Sequence, residues 1–219
     1  MEALQFETAI LADIYSEVER RFAPLDDPAH GWEHVDRVYT LALQLAQQEG
    51  ANRFIVGAAA LMHDLGRTVG HDTTVHHADL SVTLASKLLA SHNVPAHIQE
   101  AILHAIATHS FSRGIQPLTL EACVVRDADR LDALGAIGIL RWAITGTLRR
   151  NAQTRSYHPT DPFAQQHTPD DHTYLLDHFY TKLLKLSSTM TTQAGRTLAE
   201  QRTAFMHSYL DELKRELQA

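Results

Sequence analysis

The sequence predicts an all-α protein, built as a helical bundle with a C-terminal helical extension. Apolar residues recur every three or four positions through nearly every segment, as Val35, Val38, Ala42 and Leu45 do, and this spacing lines one face of a helix. The alternation of apolar and polar residues that is typical of strands is almost absent. Glycine, proline and asparagine fall between the periodic segments, where they end helices.

These interruptions divide the chain into nine predicted helices. Pro24 follows the first helix, Gly50 follows the second, and Pro95 separates the fourth from the fifth. Helix ends predicted in this way are set only to within about two to four residues. The predicted helices cover 3–22, 31–49, 53–64, 77–91, 96–109, 118–130, 134–149, 171–188 and 192–217.

Two features of the C-terminal part predict further aspects of the structure. The segment from Arg150 to Asp171 contains three prolines and is predicted to be irregular, as a lid, an excursion over a site or a linker. In the last helix, Leu198, Phe205 and Tyr209 recur near helical spacing. The last helix is therefore expected to pack on the bundle, whereas an exposed stripe there would indicate dimerisation.

Composition limits the classes of function. A chain of 219 residues that is 44% hydrophobic can bury the core of one sizeable domain. A formal net charge of -7 disfavours a nucleic-acid partner, but it leaves room for a small anionic substrate if a metal ion supplies positive charge locally. The single cysteine, Cys123, is expected to be buried. Without a signal peptide or an apolar run of about 18 residues, a cytoplasmic location with no membrane partner is expected.

The sequence around residues 61–66, LMHDLG, is the most informative for chemistry. An apolar helix delivers an imidazole and a carboxylate, His63 and Asp64, to one point before a glycine. An isolated pair of this kind also fits a turn at the aspartate and a buried hydrogen bond from the histidine. Further candidate ligands elsewhere in the chain are therefore needed to indicate a metal site. His34 lies upstream in an amphipathic helix, and Asp127 and Asp129 lie downstream among apolar residues. Such nitrogen and oxygen ligands suit manganese, iron, zinc, nickel or cobalt better than copper.

The order His34, His63-Asp64, Asp129 resembles the signature of the HD superfamily of metal-dependent phosphohydrolases. Flanking stretches extend the resemblance to a small bacterial subgroup: HGWEH at 30–34, LMHDLGR at 61–67, DADRLDALG at 127–135 and HFYTKLLKL at 178–186. The resemblance implies one domain over residues 1–219, with an HD core at about 25–135 and helices from about 136 to 219 packed on it.

The resemblance also implies roles for individual residues. His34, His63 and Asp64 match the first metal ligands, and Asp129 matches the last, with Asp127 as its rival. Asp132 is interpreted as a residue that forms a hydrogen bond or salt bridge between helices. Histidines between the HD pair and the final aspartate hold a second metal in some members of the superfamily. By position, His77 and His109 are expected either to contact metal or substrate phosphate, or to be structural.

Cationic and acidic neighbours complete the predicted site. Arg67 follows the HD pair where many relatives have lysine, and it is expected to bind phosphate and contribute to catalysis, or to be a solvated loop residue. His178 and Lys182 are predicted to share a helical face with Lys185 and to contact phosphate, the alternative being an ordinary solvated face. Asp64 is expected to act in catalysis as well as in metal binding. Glu33, beside His34, is a candidate for proton transfer, unless it points away.

The predicted function is therefore hydrolysis of nucleoside triphosphates to release pyrophosphate, by attack of a metal-activated water. Manganese is the first expectation for the metal, with cobalt, nickel, iron, zinc or magnesium as alternatives. Hydrolysis of nucleotide phosphodiesters or phosphomonoesters is the alternative activity, and a non-catalytic, metal-binding regulatory module is the alternative class. The expected partner is a small phosphate compound, in particular a nucleotide, and the chain is expected to be a monomer or homodimer.

Overall fold

The computed structural model describes residues 2–69, 74–110 and 113–218. Within these ranges the chain forms nine α-helices and several short 3₁₀ segments, and it has no strand, which confirms the prediction of an all-α fold. The chain divides into two compact units, Met1–Arg130 and Leu131–Ala219. The prediction that residues 1–219 act as a single domain stays a prediction.

The first unit is built from six helices. Helix α3 (Arg53–Met62) is apolar and buried from Phe54 to Met62. It lies at the centre of the unit's packing, against α1 (Glu2–Phe22), α2 (Trp32–Glu49) and α5 (Ala96–Thr108). Gly57 makes this close packing possible, because a Cβ atom there would lie 3.3 Å from side-chain atoms of Leu11, Tyr39 and Leu43. The six helices are α1 (Glu2–Phe22), α2 (Trp32–Glu49), α3 (Arg53–Met62), α4 (His77–Ser91), α5 (Ala96–Thr108) and α6 (Leu120–Leu131).

A tight turn joins the end of α3 to the start of α4. Residues Leu65–Val69 form a 3₁₀ helix, in which the Gly66 N–H donates to Ser81 Oγ at 2.8 Å. A Cβ atom on Gly66 would lie 2.2 Å from the carbonyl oxygen of His77, so no larger residue fits without displacing α4. This approach brings the first residue of α4 close to the last residues of α3.

The second unit contains α7 (Gly135–Arg149), α8 (His178–Thr181) and α9 (Gln193–Gln218). Helices α7 and α9 pack together, and the ring of Phe179 lies between Trp142 at 5.0 Å and Tyr209 at 6.1 Å, measured between ring centroids. The buried stripe of α9 includes Met206 and Leu210. Phe205 was expected to belong to that stripe but is 52% exposed, because adjacent residues of a helix point about 100° apart.

The predicted helix over 171–188 is wrong as a continuous element. The chain there is broken into a 3₁₀ turn at Leu175–Asp177, α8, and further 3₁₀ turns at Leu183–Lys185 and Ser187–Thr189. The N–H groups of Leu175 and Leu176 donate to the carbonyls of Arg155 and Ser156 at 3.0 and 2.9 Å, so backbone groups that would begin a helix pair with the preceding loop instead. The break at Lys182, with φ -136°, means that His178, Lys182 and Lys185 do not share a helical face.

None of the single helices in the described part of the chain has both the length and the apolar character to cross a bilayer. The consecutive helices α6 and α7 reach that length and composition only when they are taken together as a bent pair.

Candidate metal centre

Six imidazole and carboxylate side chains from five elements of the first unit meet at the buried end of α3. His63 and Asp64 follow α3 directly, and His77 begins α4. They form two groups whose ligand atoms lie within 4.8 Å of one another, and each group is able to hold a metal ion. The first group is His34, His63 and Asp129, and the second group is Asp64, His77 and His109.

In the first group, imidazole nitrogens and a carboxylate oxygen face a common point. Nε2 of His34 lies 3.3 Å from Nε2 of His63 and 3.4 Å from Oδ1 of Asp129. Nε2 of His63 lies 3.8 Å from the same oxygen of Asp129. The two histidines are almost fully buried, whereas the Asp129 side chain is 23% exposed, so the group has one side open to solvent.

Asp64 faces both groups, one with each carboxylate oxygen. Its Oδ2 lies 3.9 Å from His34 Nε2 and 3.8 Å from His63 Nε2. Its Oδ1 lies 3.5 Å from His77 Nε2 and 3.6 Å from His109 Nε2. Oδ1 is buried and has no hydrogen-bond partner among the described residues, although burying such an oxygen without a partner is costly. A cation between the groups is the kind of partner that this oxygen lacks.

The histidine tautomers fit metal binding. Nδ1 of His63 lies 2.7 Å from the carbonyl oxygen of Ala60, and Nδ1 of His109 lies 2.6 Å from that of Ile106. A carbonyl only accepts, so both rings donate from Nδ1, and a neutral ring then carries a lone pair on Nε2. Those lone pairs face other acceptors across the cluster. This arrangement of backbone-anchored imidazoles is the one by which proteins orient histidine ligands.

For His63, His77 and the two carboxylates, the electrostatics of the cluster favour the protonation states that ligands need. Burial lowers the pKa of His63 to about 4 and that of His77 to about 4, so both rings are neutral at pH 7. Burial alone would raise the carboxyl pKa of Asp64 and Asp129. Facing imidazoles, joined at Asp64 by the Arg67 guanidinium, outweigh that effect and hold the pKa of both carboxyls below the usual range. Burial would likewise lower the pKa of His109, but the carboxylate of Asp64 opposes it and the net shift is upward.

The structure brings together the four residues predicted as metal ligands, His34, His63, Asp64 and Asp129. It also distinguishes Asp129 from Asp127, the other candidate for the last ligand. Both lie on α6, but residues two apart on a helix point about 200° apart, and only Asp129 faces the histidines. Asp127 is fully buried and belongs to neither group. Asp132 forms the predicted salt bridge, with Arg141 at 3.2 Å.

The other predicted site residues of the first unit have different positions. His77 and His109 join Asp64 in the second group. Arg67 donates from Nε to Oδ2 of Asp64 at 2.5 Å, so its guanidinium lies at the edge of the cluster. The side chain of Glu33 is 89% exposed and lies 3.9 Å from Arg37, and the contacts of the cluster described above do not include it.

His178 and Lys182 lie in the second unit. Nδ1 of His178 lies 2.6 Å from Oδ2 of Asp171, which also accepts from Thr181 Oγ1 at 2.9 Å. Burial lowers the pKa of His178, with Lys182 and Arg149 adding to the effect and Asp171 opposing it. Their predicted contact with phosphate stays a prediction.

A second cluster of charged residues, within the loop from Arg150 to Asp171 and the turn after it, was missed. His167 places Nδ1 2.8 Å from Asp161 and Nε2 2.8 Å from the buried Asp177. Asp161 also accepts from the backbone N–H groups of residues 165 to 167, so the loop is folded around its carboxylate. An aspartate beside a proline is a turn signal that could have indicated this fold. The pairing of His167 with Asp177 has no comparable local signal.

Comparison with known proteins identifies relatives along most of the chain. Residues 31–134 match the family model of the HD domain. Among proteins compared by sequence, YpgQ of Bacillus subtilis is 34% identical over 196 residues, which cover 88% of this chain and 86% of YpgQ. Ribonuclease Y of Thermoanaerobacter pseudethanolicus is 30% identical over 118 residues, which cover 54% of this chain but 21% of that enzyme.

Solved structures show the same likeness. The crystal structure of Bacillus subtilis YpgQ in complex with ADP has a TM-score of 0.75 and 30% sequence identity, and the match covers 96% of each chain. An HD-superfamily hydrolase from Bacillus thuringiensis has a TM-score of 0.77 and 31% identity, covering 97% of this chain and 99% of that one. Both similarities extend well beyond residues 31–134.

Proposed function

Because the chain belongs to the HD-domain family, we propose that it is a metal-dependent phosphohydrolase of nucleotides, with nucleoside triphosphates as preferred substrates and pyrophosphate as a product. One observation carries the proposal: a single buried carboxylate, Asp64, faces two groups of ligand atoms and has an oxygen without a hydrogen-bond partner among the described residues. Histidine and aspartate ligands of this kind are typical of sites for divalent transition metals.

In this proposal His34, His63, Asp64 and Asp129 hold the first ion, and His77 and His109 hold a second ion or the substrate phosphate. A divalent cation supplies charge for a phosphate oxygen and lowers the pKa of a water molecule that it binds. The residues of the chain orient the ligands and exclude water. The carbonyls of Ala60 and Ile106 fix two ring tautomers, and the apolar residues of α3 keep solvent from the inner side of the cluster. The open side at Asp129 is where a substrate is expected to enter.

A comparison and a resemblance support a nucleoside triphosphate as the substrate. The related YpgQ was crystallised with ADP, and its match covers 96% of this chain. The preference for a triphosphate rests on the resemblance at residues 127–135 and 178–186, which is shared with a subgroup associated with pyrophosphohydrolysis. The predicted contacts of His178 and Lys182 with phosphate belong to the same proposal. Manganese is the first metal to test.

Cleavage of a phosphodiester is the second candidate. The similarity to ribonuclease Y favours it, because the matched part covers more than half of this chain. The net charge of -7 opposes it for long nucleic acids, since binding of a phosphate backbone is driven largely by lysine and arginine.

The proposal is tested on metal-free protein that is reloaded separately with Mn²⁺, Co²⁺, Ni²⁺, Mg²⁺ or Zn²⁺. Each form is incubated with a nucleoside triphosphate, a monophosphate, a cyclic nucleotide, an aryl phosphate and a short RNA, and the products are identified. Release of pyrophosphate from the triphosphate is expected. Faster turnover of the RNA or the cyclic nucleotide would assign phosphodiesterase activity, and absence of product with every metal would favour a regulatory module.

A further inference from the structure

Arg67 is held against Asp64 by both its backbone and its side chain. The Arg67 N–H donates to the carbonyl oxygen of Asp64 at 2.9 Å, within the turn that follows α3. Nε of the same residue donates to Oδ2 of Asp64 at 2.5 Å. The Arg67 side chain is 27% exposed and that of Asp64 is 3% exposed, so the pair joins the buried cluster to its rim. Hydrogen bonds between two charged groups are among the strongest in proteins.

This bond selects the rotation of the Asp64 carboxylate. The terminal torsion of aspartate is broad and roughly two-fold, so the side chain by itself does not distinguish its two oxygens. With Oδ2 held by Arg67, Oδ1 points between His77 and His109, at 3.5 and 3.6 Å. Oδ1 itself has no hydrogen-bond partner among the residues that the structure describes, so no second hydrogen bond in that part of the chain competes to set the rotation.

The surrounding backbone fixes Arg67 in turn. Gly66, immediately before it, donates to Ser81 Oγ at 2.8 Å and lies against the carbonyl of His77, where a Cβ would approach to 2.2 Å. The turn that carries Arg67 is therefore packed directly on the helix that carries His77. This contact between the turn and α4 fixes the positions of Arg67, the Asp64 carboxylate and His77 relative to one another.

We propose that Arg67 is a positioning residue that acts through Asp64: its guanidinium locks the carboxylate so that each oxygen serves one group of ligands. The inference rests on the proposed function, since it concerns the binding of cations by the two groups. The sequence-based expectation that Arg67 contacts the substrate phosphate stays a prediction, and the kinetic measurement below distinguishes the two roles. Lysine cannot reproduce the positioning role fully, because a flexible ammonium group lacks the fixed, planar donors of a guanidinium.

The test measures Mn²⁺ binding without substrate. Metal-free wild-type protein, Arg67→Ala and Arg67→Lys are titrated with Mn²⁺ by calorimetry, and circular dichroism checks that each variant is helical. Residues that orient metal ligands typically contribute about 10- to 100-fold to affinity, so a loss of that size is expected for Arg67→Ala. Arg67→Lys is expected to fall between the alanine variant and the wild type. It keeps the charge, so it still tests the proposal if the alanine variant does not fold.

Kinetics at saturating Mn²⁺ supply a second readout. A positioning residue is expected to lower kcat while KM for a nucleoside triphosphate changes by less than about threefold. A residue that binds phosphate directly would raise KM and leave Mn²⁺ affinity unchanged, and that result in both variants would overturn the proposal.

Arg20→Ala is the matched control. Arg20 also bonds a carboxylate three residues earlier, Glu17, but on the surface of α1. Its removal is expected to leave Mn²⁺ affinity, kcat and KM at wild-type values. If the wild-type protein itself binds no divalent ion, the proposed function fails and this inference fails with it. Wild-type binding together with unchanged binding in the Arg67 variants contradicts the inference alone.

Discussion

At the end of α3, one carboxylate faces the imidazoles of four histidines. Asp64 can do so because the chain turns sharply at Gly66 and brings His77 back towards the helix end, while His34 and His109 approach from α2 and the end of α5. The backbone carbonyls of Ala60 and Ile106 then hold two of the rings with Nε2 facing inward. The chemistry of the site is thus decided by a few atoms whose orientation is fixed locally.

Removal of single ligands tests the assignment residue by residue. We expect Asp64→Ala and Asp129→Ala to lose bound metal and turnover, because each removes a carboxylate that faces the imidazoles. Metal content by atomic emission and far-ultraviolet circular dichroism are the measurements.

Asp127→Asn is the control, since Asp127 lies on the same helix as Asp129 but belongs to neither group. It is expected to retain its metal. Loss of metal in Asp127→Asn, with retention in Asp129→Ala, would exchange the roles of the two residues.

Among the elements, the short ones between helices decide most of the geometry. The 3₁₀ turn Leu65–Val69 sets the separation of α3 and α4 around the cluster. In the second unit, the N–H groups of Leu175 and Leu176 pair with the carbonyls of Arg155 and Ser156, and a 3₁₀ turn takes the place of the first part of a predicted helix. Substitutions that change the backbone spacing or the charge within these two segments are therefore the ones that test them.

Gly66→Ala tests the turn. The added Cβ would meet the His77 carbonyl at 2.2 Å, and since the contact is with backbone, α4 must shift. We expect a loss of about 1 to 3 kcal/mol in the free energy of unfolding, as for other overpacked sites, and weaker Mn²⁺ binding because His77 moves.

Gly57→Ala serves as its control, because its Cβ would meet only side-chain atoms, each at 3.3 Å. Urea unfolding and Mn²⁺ titration of both variants provide the comparison. Equal Mn²⁺ affinity in the two variants would show that the turn does not position His77.

The loop around His167 is expected to be sensitive to pH. Hydrogen bonds to Asp161 and then Asp177 raise the pKa of His167, because both ring nitrogens donate to carboxylates only when the ring is protonated. A pKa that is higher in the folded state than in the unfolded state stabilises the loop fully below the unfolded value of about 6.5. That stabilisation is lost as the pH rises through the folded pKa.

Hydrogen exchange of peptides within residues 158–177, corrected for the intrinsic dependence of exchange on pH, measures this effect. Protection is expected to decline on the alkaline side in the wild type and to lose that dependence in His167→Gln. His207→Gln, at an exposed position of α9, is the control and is expected to behave as the wild type. A decline that persists unchanged in His167→Gln would exclude this histidine as its source.

At the scale of the whole molecule, a protein with net charge -7 concentrates acceptors in one buried cluster of the first unit. Mutual repulsion of those acceptors is relieved by a bound cation, and a ligand that binds only the folded state raises the free energy of unfolding. We therefore expect metal binding and global stability to be linked in this protein.

Thermal unfolding with increasing Mn²⁺ measures the linkage. At a free concentration of 100 times Kd, one bound ion is expected to add about 2.7 kcal/mol to the free energy of unfolding. For a chain of this size each kcal/mol corresponds to a rise in Tm of roughly 2 to 4 °C. Asp129→Ala is expected to show a smaller rise. An unchanged Tm in the wild type at millimolar Mn²⁺ would contradict a metal site formed in the folded state.

The sequence by itself determined the helical class and the ordered set of ligand candidates. Periodic apolar residues and the turns at glycine and proline are local signals, so eight of the nine predicted helices correspond to a helix in the structure. The LMHDLG stretch, with His34 before it and Asp127 and Asp129 after it, supplied the candidate ligands. Their assignment as a set came from the resemblance to the HD superfamily, which favoured Asp129 and left Asp127 as its rival.

The tertiary structure alone decided the features that depend on contacts between residues far apart in the sequence. It broke the helix predicted over 171–188, because N–H groups there found carbonyls near residue 155 instead of partners within a helix. It distinguished Asp129 from Asp127, because which of the two faces the cluster depends on the side of α6 that packs towards the histidines. It turned Arg67 to the Asp64 carboxylate. Spacing along a chain restricts which residues can meet, but the direction of each side chain is set by packing between elements.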